Sequence, residues 1–183
     1  MMEGLGVVTA LLGVYFSMKR MWMAWVWNII SAGVYLFVFY TNHLYADMEL
    51  QGLFIILGFM GLLAWNRSDR NWQAERSRLK SICIGVIFSV VFGLGLGYVH
   101  ERYLSDASFP FVDGILAGLS VWATWLAAKK KIENWIVWIG VDLMYIGLYL
   151  QNEMWGTACL YAVFIGLAWQ GYREWSITLK SID

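Results

Sequence analysis

The chain has 183 residues, 60% of them apolar and only 14% charged, with equal numbers of acidic and basic side chains. So few polar groups cannot cover a soluble surface, so the class is integral membrane protein, and no nucleic-acid partner is expected. Cys83 and Cys159 lie inside apolar stretches and read as packing residues, with neither a disulfide nor a metal expected.

Seven apolar stretches of near-spanning length follow one another: Glu3–Met18, Met21–Tyr40, Ala46–Asn66, Ser81–Val99, Val112–Ala128, Glu133–Gln151 and Met154–Tyr172. Each is close to the ~20 residues a helix needs to cross ~30 Å of hydrocarbon. The first carries an acid, Glu3, where a secretion signal has bases, so it reads as a membrane helix. The loop Arg67–Lys80 is charged, with Trp72 as an interface anchor. Gly93, Gly95 and Gly97 in the fourth helix permit close packing or oligomer contact, and Pro110 fixes entry to the fifth.

Twelve of the thirteen Lys and Arg residues follow the first, third, fifth and seventh helices, and Arg102 alone falls on the other side. The positive-inside rule then places the N-terminus outside and the C-terminus in the cytoplasm.

Slid against itself, the chain aligns 4–65 with 114–175 without a gap, pairing Lys19 with Lys129, Trp25 with Trp135, Tyr35 with Tyr145, Gly61 with Gly171 and Trp65 with Trp175. Only 12 of 62 positions are identical, but helix ends, basic turns and tryptophans fall into register together. The predicted fold is all-α, with seven transmembrane helices in a 3+1+3 plan: two parallel three-helix repeats joined by a linker helix. The divisions are 1–66, a loop, linker helix and outer loop over 67–111, and 112–183.

The candidate site is on the sixth helix. At about 100° per residue, Trp135, Trp138, Asp142, Tyr145 and Tyr149 fall within an arc of about 80°. An acid at mid-membrane depth is costly and marks a functional position, and grouped rings suit a flat cation. The repeat mate of Asp142 is Ala32, so one half alone supplies the charge. The second helix offers Trp25 and Asn28 on a parallel arc, and Gln51 on the third is an amide at a depth where it needs a partner. Asp113, at the outer start of the fifth helix, is a candidate gate, or favours the helix N-terminus. His43, Asp47 and Glu49 form the only cluster that could serve a membrane-embedded, metal-dependent lipid enzyme, and they sit at the outer edge where polar residues are ordinary.

The segment FPFVD at 109–113, the basic turn, ENWIVWIGVD at 133–142 and the seven-helix plan resemble the Pnu-type bacterial vitamin transporters, whose architecture is similar to that of SWEET-type sugar carriers. The resemblance implies a vitamin stacked among Trp135 and Trp138 with a polar contact at position 142. It also implies facilitated diffusion across the inner membrane, with cytoplasmic phosphorylation as the trap, no cofactor, lipid surroundings and a homotrimer. In nicotinamide riboside carriers it implies asparagine after an aromatic at 141–142, whereas this chain has Val141 and Asp142. That tilts the expectation toward thiamine, with nicotinamide riboside or riboflavin as the alternatives.

Overall fold

A computed structural model of the chain describes residues 2–41, 45–66, 72–103, 109–151 and 155–179; within these, the side chains of a few residues, Phe39, Asp47 and Tyr149 among them, lie outside the description. The elements are α1 (Met2–Met18), α2 (Met23–Thr41), α3 (Tyr45–Asn66), α4 (Leu79–Tyr103), α5 (Pro110–Ala128), α6 (Glu133–Gln151) and α7 (Trp155–Ser176). The seven predicted helices are all present, and α6 has the predicted bounds because Glu133 and Gln151 bracket its apolar run. Two helices, α4 and α7, run about a turn further at their C-terminal ends than hydropathy suggested. α4 continues to Tyr103 because His100 is buried, and α7 runs through Arg173 and Glu174 because Trp175 beyond them is completely enclosed.

Among the described residues, Met48–Trp65, Leu79–Tyr103 and Pro110–Ala128 are long and apolar enough to cross a membrane on their own, and Gly4–Met18 and Met23–Val38 are shorter apolar helices. α6 and α7 carry more polar side chains, among them Asp142, Gln170 and Arg173.

Packing follows a closed circuit: α1 on α2, α2 on α3, α3 on α5, α5 on α6, α6 on α7, and α7 back on α1. Six helices therefore form a ring in which α2 and α6 stand opposite each other. The linker helix α4 is outside it, packed on α5. Small residues make that contact close: a Cβ added at Gly97 would lie 2.8 Å from Phe111 Cα, and one at Gly93 would lie 2.5 Å from Ile115 Cα. The opposite face of α4, with Ile84, Ile87 and Val91, is exposed and apolar, as a lipid-facing surface is.

The two halves are built alike at the turns that end α1 and α5. Arg20 and Lys130, which occupy the same position in the two repeats, both take left-handed backbone, with φ of 60° and 57°. In both turns the left-handed residue's N–H donates to the carbonyl three residues back, Arg20 to Ser17 and Lys130 to Ala127. Gly61 lies against the Trp25 indole, and a Cβ at Gly171 would lie 2.6 Å from the Trp135 ring. Only glycine lets an indole lie on the neighbouring helix there.

Candidate functional site

The basic end of the ring is filled by tryptophan. Trp25, Trp65, Trp135 and Trp175 are each at most 3% exposed. They contact edge to face or tilted, Trp25 with Trp65 at 5.4 Å, Trp135 with Trp175 at 5.3 Å, and Trp65 with Trp175 at 5.8 Å between ring centroids. Two reciprocal hydrogen bonds tie the halves across the ring. Trp65 Nε1 of α3 donates to the carbonyl of Ala127 on α5 at 3.3 Å, and Trp175 Nε1 of α7 donates to the carbonyl of Ser17 on α1 at 3.0 Å. Trp65 and Trp175 are paired by the 110-residue offset of the sequence, as are Ser17 and Ala127, so the two bonds join corresponding positions of the two halves.

Trp72 is the fifth ring and breaks that symmetry. The sequence reading made it an interface anchor; it instead packs into the cluster, 5.4 Å from Trp65 and 4.7 Å from Trp175, with Lys130 Nζ 5.6 Å from its own centroid. The loop that carries it is pinned as a strap. Glu75 donates its N–H to the Lys130 carbonyl and accepts from the Ile132 N–H, both at 3.0 Å, while its carboxylate meets Lys131 Nζ at 2.8 Å. Ala74 pairs with Leu179 and is fully buried, and the N–H of Ser77 donates to Glu133 Oε1 at 3.0 Å. Burial lowers the Lys130 pKa, and the Glu75 carboxylate partly opposes that. Lys19 and Glu174, 3.3 Å apart, add a link between α1 and α7.

Toward the opposite end from this seal, α6 has two distinct faces. Ile136, Gly140, Leu143, Gly147 and Leu150 are exposed, recur at helical spacing and form the lipid stripe. Trp135, Trp138, Asp142 and Tyr145 lie about 140° round the helix from that stripe. Trp138 and Ile139 pack against the tryptophan cluster, and Asp142, one turn further, is 5% exposed. Among the described residues its carboxylate makes no hydrogen bond or ion pair. Its repeat mate Ala32 is equally buried, at 3%.

The remaining predicted residues separate by depth. Trp25 and Trp135 belong to the seal, below Asp142. Asn28 is half-buried on α2, its carboxamide oxygen against Gly13 of α1. Gln51 is half-buried on α3, and Tyr145 half-buried on α6, where its ring meets Tyr161 at 5.3 Å. Tyr149 lies on the same helix, with its side chain outside the description. Asp113 is half-buried on α5 within electrostatic reach of the buried His100 of α4. Of the proposed enzyme cluster, His43 lies outside the described residues, as does the side chain of Asp47, and Glu49 is exposed beside a groove between α3 and α4. That groove, of about 390 Å³, and another of about 370 Å³ between α1 and α7 are almost wholly apolar, and neither is lined by the predicted binding residues.

Sequence reasoning missed Trp65 and Trp175 as members of the seal, and the contact of Tyr161 with Tyr145. Trp65 and Trp175 are mates of each other in the repeat, and Tyr161 is the mate of Gln51; that register is the signal that could have found them.

A family model described as "Nicotinamide mononucleotide transporter" matches residues 1–177. The nicotinamide riboside transporter PnuC of Escherichia coli is 22% identical over 94% of this chain and 84% of its own length, and that of Neisseria mucosa 24% identical over 98% and 73%. The riboflavin/roseoflavin transporter RibM of Streptomyces davaonensis is 22% identical over 93% and 80%. A crystal structure of the vitamin B3 transporter PnuC superposes with a TM-score of 0.77 at 23% identity, covering 97% of this chain and 81% of that one. These relatives are carriers rather than enzymes, which removes the lipid-enzyme alternative built on His43, Asp47 and Glu49. With its seven-helix plan and a family match along nearly its whole length, the chain belongs to the nicotinamide mononucleotide transporter family of bacterial inner-membrane vitamin carriers.

Proposed function

We propose that this carrier takes up nicotinamide riboside by facilitated diffusion, holding it inside the ring between α2 and α6, with phosphorylation in the cytoplasm preventing its return. The observation that carries the reading is Asp142: a buried acid, without a partner among the described residues, on the face of α6 turned away from lipid. A flat pyridinium placed there meets a counter-charge at Asp142, rings at Trp138 and Tyr145, and amides across the ring at Asn28 and Gln51. In a low-dielectric interior both the Coulomb attraction and the cation–π contacts are stronger than in water. Trp25 and Trp135 form the floor, and Asp113 beside His100 acts as a gate at the far end. The basic end faces the cytoplasm, so the tryptophan seal is the inner barrier.

The named relatives displace thiamine as the first reading. The acid at 142 suits thiamine's fixed positive charge, but the nicotinamide riboside cation satisfies it as well, and several relatives carry that vitamin in their names. Thiamine remains the second reading on the strength of Asp142. Riboflavin is uncharged and gives the acid no role.

The test is a vitamin panel titrated against purified protein by quenching of intrinsic tryptophan fluorescence. Nicotinamide riboside is expected to bind most tightly, and Asp142→Asn to weaken it more than about tenfold, or ~1.4 kcal/mol. Trp138→Ala weakens it in the same direction. Unchanged affinity in Asp142→Asn removes that residue from the site, and tightest binding of thiamine or riboflavin overturns the substrate.

A further inference from the structure

We propose that Tyr161 of α7 is a further substrate-contacting residue, which with Tyr145 forms an aromatic corner one turn beyond Asp142 and selects flat cationic rings. The inference rests on the binding site proposed above.

Three observations place Tyr161 there. The first is its face. Ala162, Val163, Gly166, Trp169 and Gln170 are exposed and mark the lipid side of α7. Tyr161 projects well away from that side, in line with Ala168 and Trp175, seven and fourteen residues further on, which are 3% and 0% exposed inside the ring. The second is contact. Its ring centroid lies 5.3 Å from that of Tyr145 at an interplanar angle of 54°, and Phe164 on its own helix supports it at 5.8 Å. Tyr145 is three residues from Asp142, a rise of about 4.5 Å along α6. A ring that touches Tyr145 therefore borders the space above the acid.

The third is the repeat. Tyr161 is the repeat mate of Gln51, so the position that carries an amide in the first half carries a ring in the second. The same exchange explains why the two tyrosines pair. In the first half Tyr35 lies against Gly6, where a Cβ would be 2.9 Å from its ring. The mate of Gly6 is Leu116, fully buried, so the space that a glycine leaves for Tyr35 is not left by its counterpart in the second half. Tyr145 meets α7 instead, and Tyr161 is the residue it meets.

A cation seated at Asp142 is thus bordered by two electron-rich faces on one side and by amides on the other. Charge and stacking are supplied by the second half alone, and polar contact by the first.

The experiment compares nicotinamide riboside with its dihydro form, which has the same ribose but an uncharged, non-aromatic ring. Both are titrated against full-length wild type, Tyr161→Phe, Tyr161→Leu, Tyr161→Gln and Asp142→Asn, with folding checked by far-ultraviolet circular dichroism. Tyr161→Phe is expected to bind the cation within twofold of wild type. Tyr161→Leu and Tyr161→Gln are expected to bind it at least tenfold more weakly, with the preference for the cation over the dihydro form reduced at least fivefold. A role confined to packing lowers both affinities alike, and that result overturns the inference. So does wild-type affinity in Tyr161→Leu while Asp142→Asn loses binding, an outcome that leaves the site itself standing. Wild-type affinity in Asp142→Asn removes the acid from the site and overturns this inference with it, as does failure of the wild type to bind either form.

Discussion

Replacing Trp175 by phenylalanine is expected to destabilise the protein by about 2 kcal/mol, the sum of a lost hydrogen bond and a small cavity, and Trp65→Phe by slightly less. Phenylalanine keeps a ring in the cluster but has no N–H. The lost bond from Trp175 to the Ser17 carbonyl, at 3.0 Å, is worth about 1 kcal/mol net. It is not worth more, because that carbonyl still accepts the Arg20 N–H and is not left unsatisfied. The missing five-membered ring leaves a void in a site with no exposure, and at ~24 cal/mol per Å³ of cavity that adds about 1 kcal/mol. Trp65 donates over 3.3 Å to the Ala127 carbonyl, which likewise keeps its bond from Lys130, so its hydrogen-bond part lies at the lower end. Because the two rings are 5.8 Å apart, the double variant falls short of the sum by at least about 0.5 kcal/mol. Unfolding of the purified protein in increasing dodecyl sulfate, followed by far-ultraviolet circular dichroism, reads all three values without relying on the fluorescence of the residues removed. A cost below about 0.5 kcal/mol for either single variant refutes the reciprocal seal, since each half must contribute a bond to the other.

The turns and the strap give further tests. Arg20 and Lys130 hold left-handed backbone that glycine adopts without penalty, so Arg20→Gly is expected to stabilise by about 0.5–1 kcal/mol in the same assay. Lys130→Gly gains less, because it removes the cation above Trp72. The Lys130 ammonium has a lowered pKa in the fold, so the folded chain releases that proton before the unfolded one does. Wild-type stability therefore carries a component that rises with pH between the lowered and the ordinary lysine value, and Lys130→Gly lacks it. Glu75→Lys replaces an exposed pair worth under about 1 kcal/mol with repulsion against Lys131, and frees the strap without unfolding the ring. A cysteine placed at the fully buried Ala74 position is then expected to react with a membrane-impermeant maleimide at least fivefold faster in inside-out vesicles. Equal rates with and without Glu75→Lys mean that the ion pair does not hold the strap.

Where a feature depends on local periodicity, the sequence displayed it. The arc of Trp135, Trp138, Asp142 and Tyr145 is legible because a helix converts spacing into a face, and the exposed stripe on the other side of α6 agrees with it. The bounds of α6 were legible for a similar reason, with polar residues at both ends. Hydropathy stopped too soon on α4 and α7, since it charges His100, Arg173 and Glu174 as polar and cannot see that α5 buries the first or that Trp175 lies beyond the others. The tryptophan seal is a different kind of feature. Its members come from four helices and a charged loop, and only the closing of the ring brings Trp65 to Trp175. Trp72 has no repeat mate and sits among arginines, so every local signal pointed to a membrane interface. Tyr161 was hidden by its ordinariness, as one ring in an apolar helix, until the position of Gln51 gave it a counterpart.

The seal also bears on how such a carrier opens. Closed, it holds two hydrogen bonds between the halves and packs five rings together, yet among the described residues the N–H groups of Trp25, Trp72 and Trp135 have no acceptor. A buried donor without an acceptor costs about 1–3 kcal/mol. Opening at this end therefore breaks two bonds of about 1 kcal/mol each but lets three donors reach water, and the ring burial that keeps the end shut is partly offset. Such a seal is poised near balance rather than locked. A substrate shifts that balance only by binding one state more tightly than the other. Asp142 and Trp138 provide a way, because both are on α6 and Trp138 packs directly on the cluster. At the site proposed above, a cation held by Asp142 would press on the same helix whose first turn holds Trp135 in the seal, whereas the first half, with Ala32 at that depth, offers no charge to pull on. On that proposal, the asymmetry between Asp142 and Ala32 also determines which half moves the seal.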